Sequence, residues 1–68
     1  MNINESDSFW FTADDLMARY RVTRTTIYMW TQTQGFPRGI KLGGALVRWR
    51  REDVLRWEEG KVAAQAAE

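Results

Sequence analysis

Two helix starts stand only eleven residues apart, at Thr12 and Thr23, so the first helix must be short and must turn sharply into the second. The Thr12 hydroxyl is placed to cap a helix, and Asp15 falls at its third position, an aspartate version of the capping box. Phe11 and Leu16 occupy the two positions of a hydrophobic staple, while Asp14 and Asp15 suit the positive end of the helix dipole. Ala13, Leu16, Met17 and Tyr20 then share one face at helical spacing, which predicts a helix over 13–20. The second start repeats the first, with Thr23 as cap, Val22 before it and Ile27 at the staple position. Ile27, Trp30 and Gln34 form one stripe, Gly35 is a ready C-terminal stop, and Phe36-Pro37 cannot continue the helix. The spacing predicts a second helix over 24–34. Two short helices joined by two or three residues form a helix-turn-helix with a steep crossing.

From Ile40 the period changes from helical to alternating. Gly43-Gly44 is a strong hairpin-turn signal. Alternation about that turn predicts an inward face of Ile40, Leu42, Val47 and Trp49 and an outward face of Lys41, Arg48 and Arg50. Glu52 and Asp53 open a third helix whose Val54, Leu55 and Trp57 face the core. Gly60 ends or weakens it, although the alanines between Val62 and Ala67 suit a longer course. Helix, helix, two-stranded hairpin, helix is a small α+β winged helix-turn-helix. We expect one domain over residues 9–60, a flexible tail over 1–8 where the sequence is polar and aperiodic, and a flexible or frayed helical tail over 61–68.

Sixty-eight residues lie near the lower limit for a self-supporting core. Cysteine and histidine are both absent, which removes disulfides, thiolate and zinc sites, and the usual general base. We therefore expect no enzyme, no metal and no cofactor. Stability must come from apolar burial, and four tryptophans, three phenylalanines and two tyrosines supply it. Each buried aromatic removes roughly 150–250 Å² from water. Trp30, Trp49 and Trp57 fall on inward faces, whereas Trp10 suits either the open edge of the core or partial exposure to a partner. No apolar run approaches the roughly 20 residues of a membrane span, and no signal peptide precedes the first helix, so the expectation is a soluble, cytoplasmic chain without membrane contact.

Between Leu16 and Arg51 the chain carries eight basic residues and no acid, although the whole chain has a net charge of only +1. Such a segment suits a polyanion, nucleic acid above all. Charge alone does not separate that from a solvated face; the order of elements does. In a winged helix the second helix enters the DNA major groove and the wing lies on the backbone or in an adjacent minor groove. Opposite the inward stripe, the helical wheel places Arg24, Thr25, Tyr28 and Gln32, with Arg24 and Thr25 in the first turn, where base edges are read. On the wing, Lys41 and Arg48 are candidates for phosphate, and Gly43 and Gly44 allow close approach with free amides. Arg38 follows Phe36-Pro37 within reach of the backbone. Arg50 and Arg51 suit pairing with Glu52 or Asp53, and Arg19 and Arg21 suit solvent or internal pairing. The expected partner is double-stranded DNA. A module this small buries only roughly 600–1,000 Å² on DNA, so the chain itself, an integrase or RNA polymerase are expected as further partners. The competing reading is a protein-interaction module on a helix-turn-helix scaffold, worked by Phe9 to Phe11 and the acidic ends.

The run Val22-Thr23-Arg24-Thr25-Thr26-Ile27-Tyr28-Met29-Trp30, then Gly35-Phe36-Pro37-Arg38, Ile40-Lys41-Leu42-Gly43-Gly44, Val47-Arg48-Trp49 and Trp57 resembles the AlpA-like prophage regulators. These are kin of small phage excisionases and of the DNA-binding heads of MerR-type regulators. The resemblance covers about residues 10–59. It implies DNA binding, as an activator of an integrase gene or as a directionality factor that binds side by side and bends DNA during excision. The chain departs from the family in having Asp14-Asp15 where a Glu often follows the cap, and Arg21 where the turn often has glycine.

Overall fold

A computed structural model describes residues 9–66; the tail expected at 1–8, with Ala67 and Glu68, lies outside the described residues. Along the chain come β1 (Trp10–Phe11), α1 (Ala13–Tyr20), α2 (Arg24–Thr33), β2 (Ile40–Gly43), β3 (Leu46–Arg50) and α3 (Arg51–Ala66). The strands form one antiparallel sheet in the order β1-β3-β2. The architecture is a winged helix-turn-helix, as the sequence implies.

Both helix starts are made by the expected caps. The Asp15 amide donates to Thr12 Oγ1 and the Thr12 amide donates to Asp15 Oδ2, each at 3.0 Å, which closes the capping box. The Thr26 amide donates to Thr23 Oγ1 at 3.3 Å. Between the helices, Arg21 takes the left-handed conformation (φ 58°, ψ 50°) that ordinarily favours glycine, and the Val22 amide donates to the Met17 carbonyl at 3.1 Å.

Three boundaries differ from the sequence reading. α2 stops at Thr33, and Gln34 is its exposed C-cap rather than part of the inward stripe. There its backbone carbonyl accepts from Trp57 Nε1 at 2.9 Å and its side chain accepts from Lys61 Nζ at 3.0 Å. α3 runs through Gly60 to Ala66. A mid-helix glycine costs only about 1 kcal/mol, and the alanines beyond it are strong helix formers. The third difference is β1, a two-residue strand that sets Phe11 opposite Trp49.

The core takes one buried residue from each surrounding piece: Phe11 from β1, Leu16 from α1, Ile27 from α2, Phe36 from the α2–β2 loop, Trp49 from β3 and Val54 from α3. β2 contributes none. Trp30 and Trp57 are half-buried at the rim, stacked on each other at 5.6 Å, with Tyr20 and Phe36 edge-on to Trp57. Trp49 Nε1 donates to the Pro37 carbonyl at 3.0 Å, which satisfies its one polar atom inside the core.

The last turn of α1 is joined to the middle of α3 through Glu58. Its carboxylate accepts from Arg19 Nε at 2.6 Å and Arg19 Nη2 at 2.8 Å, and also from the Tyr20 hydroxyl. The Arg19 hydrogen bonds hold the Glu58 carboxyl below the usual carboxylate range. Burial, and then the bond to Glu58, pushes the Tyr20 hydroxyl above its ordinary value.

Candidate nucleic-acid interface

α2 buries Ile27 and turns Arg24, Thr25, Tyr28 and Gln32 to solvent, the face expected from the helical wheel, and Met29 is exposed beside them. Arg24 is its first residue, so its side chain stands at the end of the helix that meets α1. Beside it lies a cleft of about 360 Å³ whose walls come from three elements. Thr12, Ala13 and Asp14 form one wall, Arg24 and Tyr28 the second, and Ala45, Val47, Arg48 and Trp49 the third. The fold thus brings Arg24, Tyr28 and Arg48 together from positions that are far apart in sequence. Thr25, Gln32, Arg38, Lys41, Gly43 and Gly44 are exposed but do not line this cleft.

Support beneath the cleft is shared. The Tyr28 ring lies 6.4 Å from the ring of Trp49, tilted by 50°, so the exposed helix and the wing rest on the same buried indole. Arg48 is half-buried, and its Nη1 donates to the Val47 carbonyl at 2.9 Å, which restrains the guanidinium before any ligand arrives.

The wing register differs from the alternation read in the sequence. The turn is Gly44-Ala45, one residue later than Gly43-Gly44, with Gly44 at φ 53°. Pairing then runs Gly43 with Leu46, Lys41 with Val47 and Ile40 with Arg48, and Leu42 forms an irregularity between the first two pairs. Directly opposed residues share a face, and a slip of one residue exchanges the faces of a strand. Ile40 therefore sits on the Arg48 face and Lys41 on the Val47 face. Ile40 and Leu42 are exposed instead of inward, with Leu42 at 47%, and Leu46 is exposed beside them. Lys41 and Arg48, expected side by side, project from opposite faces of the hairpin.

The basic residues divide by role. Arg19 and Arg51 approach the Phe11 ring, each 5.3 Å from its centroid, and Arg19 also holds Glu58. Arg50 lies 5.2 Å from the Phe9 centroid and 3.7 Å from the Glu52 carboxylate. These three hold the domain together. Among the described residues, Arg21, Arg38, Lys41 and Arg48 make no ion pair. Arg24 makes one, with Asp14, whose Oδ1 lies 3.6 Å from Arg24 Nη2. Asp14 is a cleft residue that sequence reasoning missed. Its signal was present, since Asp15 alone completes the cap and leaves Asp14 without that duty, but the crossing of the helices decides where it points.

A family model described as a helix-turn-helix domain matches residues 10–62. Over 54 residues the chain is 33% identical to a protein named excisionase from Enterobacteria phage phi80, a match that covers 69% of this chain and 83% of that relative. No solved structure matches the chain. A helix-turn-helix with a wing, an exposed polar face on its second helix and this relative together make the chain a member of the helix-turn-helix family of small phage excisionases and AlpA-like regulators.

Proposed function

We propose that this chain is a sequence-specific double-stranded DNA-binding protein of a prophage or mobile element, acting in the cytoplasm as an excisionase, that is, a recombination directionality factor. Residues 9–60 carry the DNA-binding unit. α2 enters the major groove with Arg24, Thr25, Tyr28 and Gln32 against base edges and backbone. Lys41 and Arg48, from the two faces of the wing, embrace a phosphate strand from either side. Gly43 at the end of β2 and Gly44 in the turn let the backbone come close, and Arg38 reaches phosphate beside α2. The observation that carries the reading is the convergence of Arg24, Tyr28 and Arg48 on one open cleft supported by Trp49. The phi80 relative's name favours excision over an AlpA-type role in transcription. Neighbouring copies on the DNA, an integrase or RNA polymerase are the partners this small interface calls for.

A salt titration of duplex binding tests the reading. Three cationic phosphate contacts, from Arg38, Lys41 and Arg48, predict a log–log slope of about −3. A slope shallower than about −1 would remove the DNA reading and favour the protein-interaction module. Footprinting beside the element's attachment site then separates the two roles: several adjacent footprints support excision, and one footprint over a promoter supports regulation.

A further inference from the structure

Asp14 stands where an anion should be costly, in a cleft whose other charged lining residues are Arg24 and Arg48. It has no duty in the helix cap, because Asp15 holds the Thr12 amide. Its side chain is largely exposed, at 82%, and so is that of Arg24, so neither group is fixed by packing. A carboxylate here opposes the phosphates of every duplex. Such a repulsive element is useful when it discriminates between duplexes.

We propose that Asp14 and Arg24 act as one composite reader of a single G·C base pair in the major groove. The inference rests on the DNA-binding reading above. Arginine donates two hydrogen bonds to guanine O6 and N7, and a carboxylate accepts from the cytosine N4 amino group. In a G·C pair those two edges lie side by side, so a guanidinium and a carboxylate already in contact present complementary donors and acceptors. The Asp14–Arg24 pair, at 3.6 Å, has that arrangement. A carboxylate has about four acceptor sites, so the ion pair leaves room for a base amino group. An A·T pair in the same place sets thymine O4, an acceptor, against the Asp14 carboxylate. Asp14 is therefore a specificity residue as well as a positioning residue for Arg24.

The test is selection from a randomised duplex library with the wild-type chain, Asp14→Ala, Asp14→Asn and Arg24→Ala, followed by binding to the selected site, its single-base variants and a random duplex at fixed salt. The wild type is expected to select a site with one G·C position at which substitution costs roughly tenfold or more. Asp14→Ala and Arg24→Ala should both lose preference at that same position and keep the others. Both Asp14 variants should bind the random duplex several-fold more tightly. Asp15→Ala is the structural control: it removes the acceptor of the Thr12 amide, so it should lower the melting temperature through the cap and leave base preference unchanged. The inference is overturned if Asp14→Ala retains its G·C preference with unchanged random-duplex affinity, or if its loss spreads evenly over all positions. A wild-type chain that selects no site and binds duplex without salt dependence overturns the DNA-binding reading and this inference with it. A selected site that ignores Asp14 overturns this inference alone.

Discussion

Glu58→Gln probes the joint that holds α1 against α3 and so fixes the frame on which α2 is presented. The carboxylate accepts two hydrogen bonds from Arg19, at 2.6 and 2.8 Å, and a third from the Tyr20 hydroxyl. Exposed ion pairs contribute about 0–1 kcal/mol, and hydrogen bonds to charged groups about 1.5–3 kcal/mol. This pair lies between those cases, with side chains 35% and 24% exposed and a two-pronged geometry. Glutamine keeps one acceptor for Tyr20 but loses the charge and one arginine bond, which gives a loss of about 1.5 kcal/mol. For a chain of this length the whole stability is about 3–10 kcal/mol. Such a loss lowers the melting temperature by roughly 6–12 °C. The pH dependence carries the sign. Because the Glu58 carboxyl titrates below its ordinary range in the fold, its contribution is complete above the ordinary glutamate value and disappears as pH falls through the lowered one. Thermal melts followed by circular dichroism should show the full gap at pH 7 and a gap that shrinks as the pH falls below the ordinary glutamate range. A gap under about 2 °C at pH 7, or one that does not shrink as the pH falls through the acid range, would refute the assignment of this joint to charge.

Trp49→Ala removes the indole under both Tyr28 and the wing; a loss of about 3–5 kcal/mol should leave the chain largely unfolded by circular dichroism at 25 °C. Arg21→Gly relieves a left-handed residue at φ 58° and should raise stability by about 0.5–1 kcal/mol in urea titrations; an unchanged or lowered midpoint would refute strain at this turn. Arg48→Ala should weaken binding by a similar factor on every duplex and make the salt slope shallower by about one, whereas loss of preference at a single base position would contradict its placement on phosphate.

What the sequence made legible is what local chemistry controls. The Thr12–Asp15 box, the Thr23 cap and the Phe11–Leu16 staple each involve residues three to five apart, and each appears where the pattern places it. The wheel of α2 was equally readable because Ile27 anchors one side. The wing was not, because strand faces depend on register. Gly43-Gly44 and Gly44-Ala45 are both acceptable turns locally, and choosing the second, with an irregularity at Leu42, exchanges the faces of Ile40 and Lys41. β1 was hidden for a related reason: two residues carry no detectable alternation, and only the partner strand at Trp49 and Arg50 defines them. Gly60 failed as a stop because a glycine ends a helix only where the chain also takes up a capping conformation.

The charge pattern shows the limit of a linear reading most sharply. In sequence, eight bases without an acid look like one uniform patch. In the fold, Arg19, Arg50 and Arg51 are occupied by Phe9, Phe11, Glu52 and Glu58, and Asp14 returns from outside the segment to stand 3.6 Å from Arg24. Exposed charges interact within about 10 Å at ordinary salt, so the local balance at α2 is near neutral even though the segment is basic. On the proposed reading, electrostatic attraction comes mainly from Arg38, Lys41 and Arg48, while the paired Arg24 contributes selection rather than pull. That division has a measurable consequence. Arg24→Ala should reduce affinity for a selected site while leaving the salt slope nearly unchanged, because a side chain that contacts a base and not a phosphate displaces no counterion. Arg48→Ala should alter the slope and leave selection alone. If Arg24→Ala instead flattens the slope by as much as Arg48→Ala, then Arg24 binds phosphate and the two parts of the surface share one task.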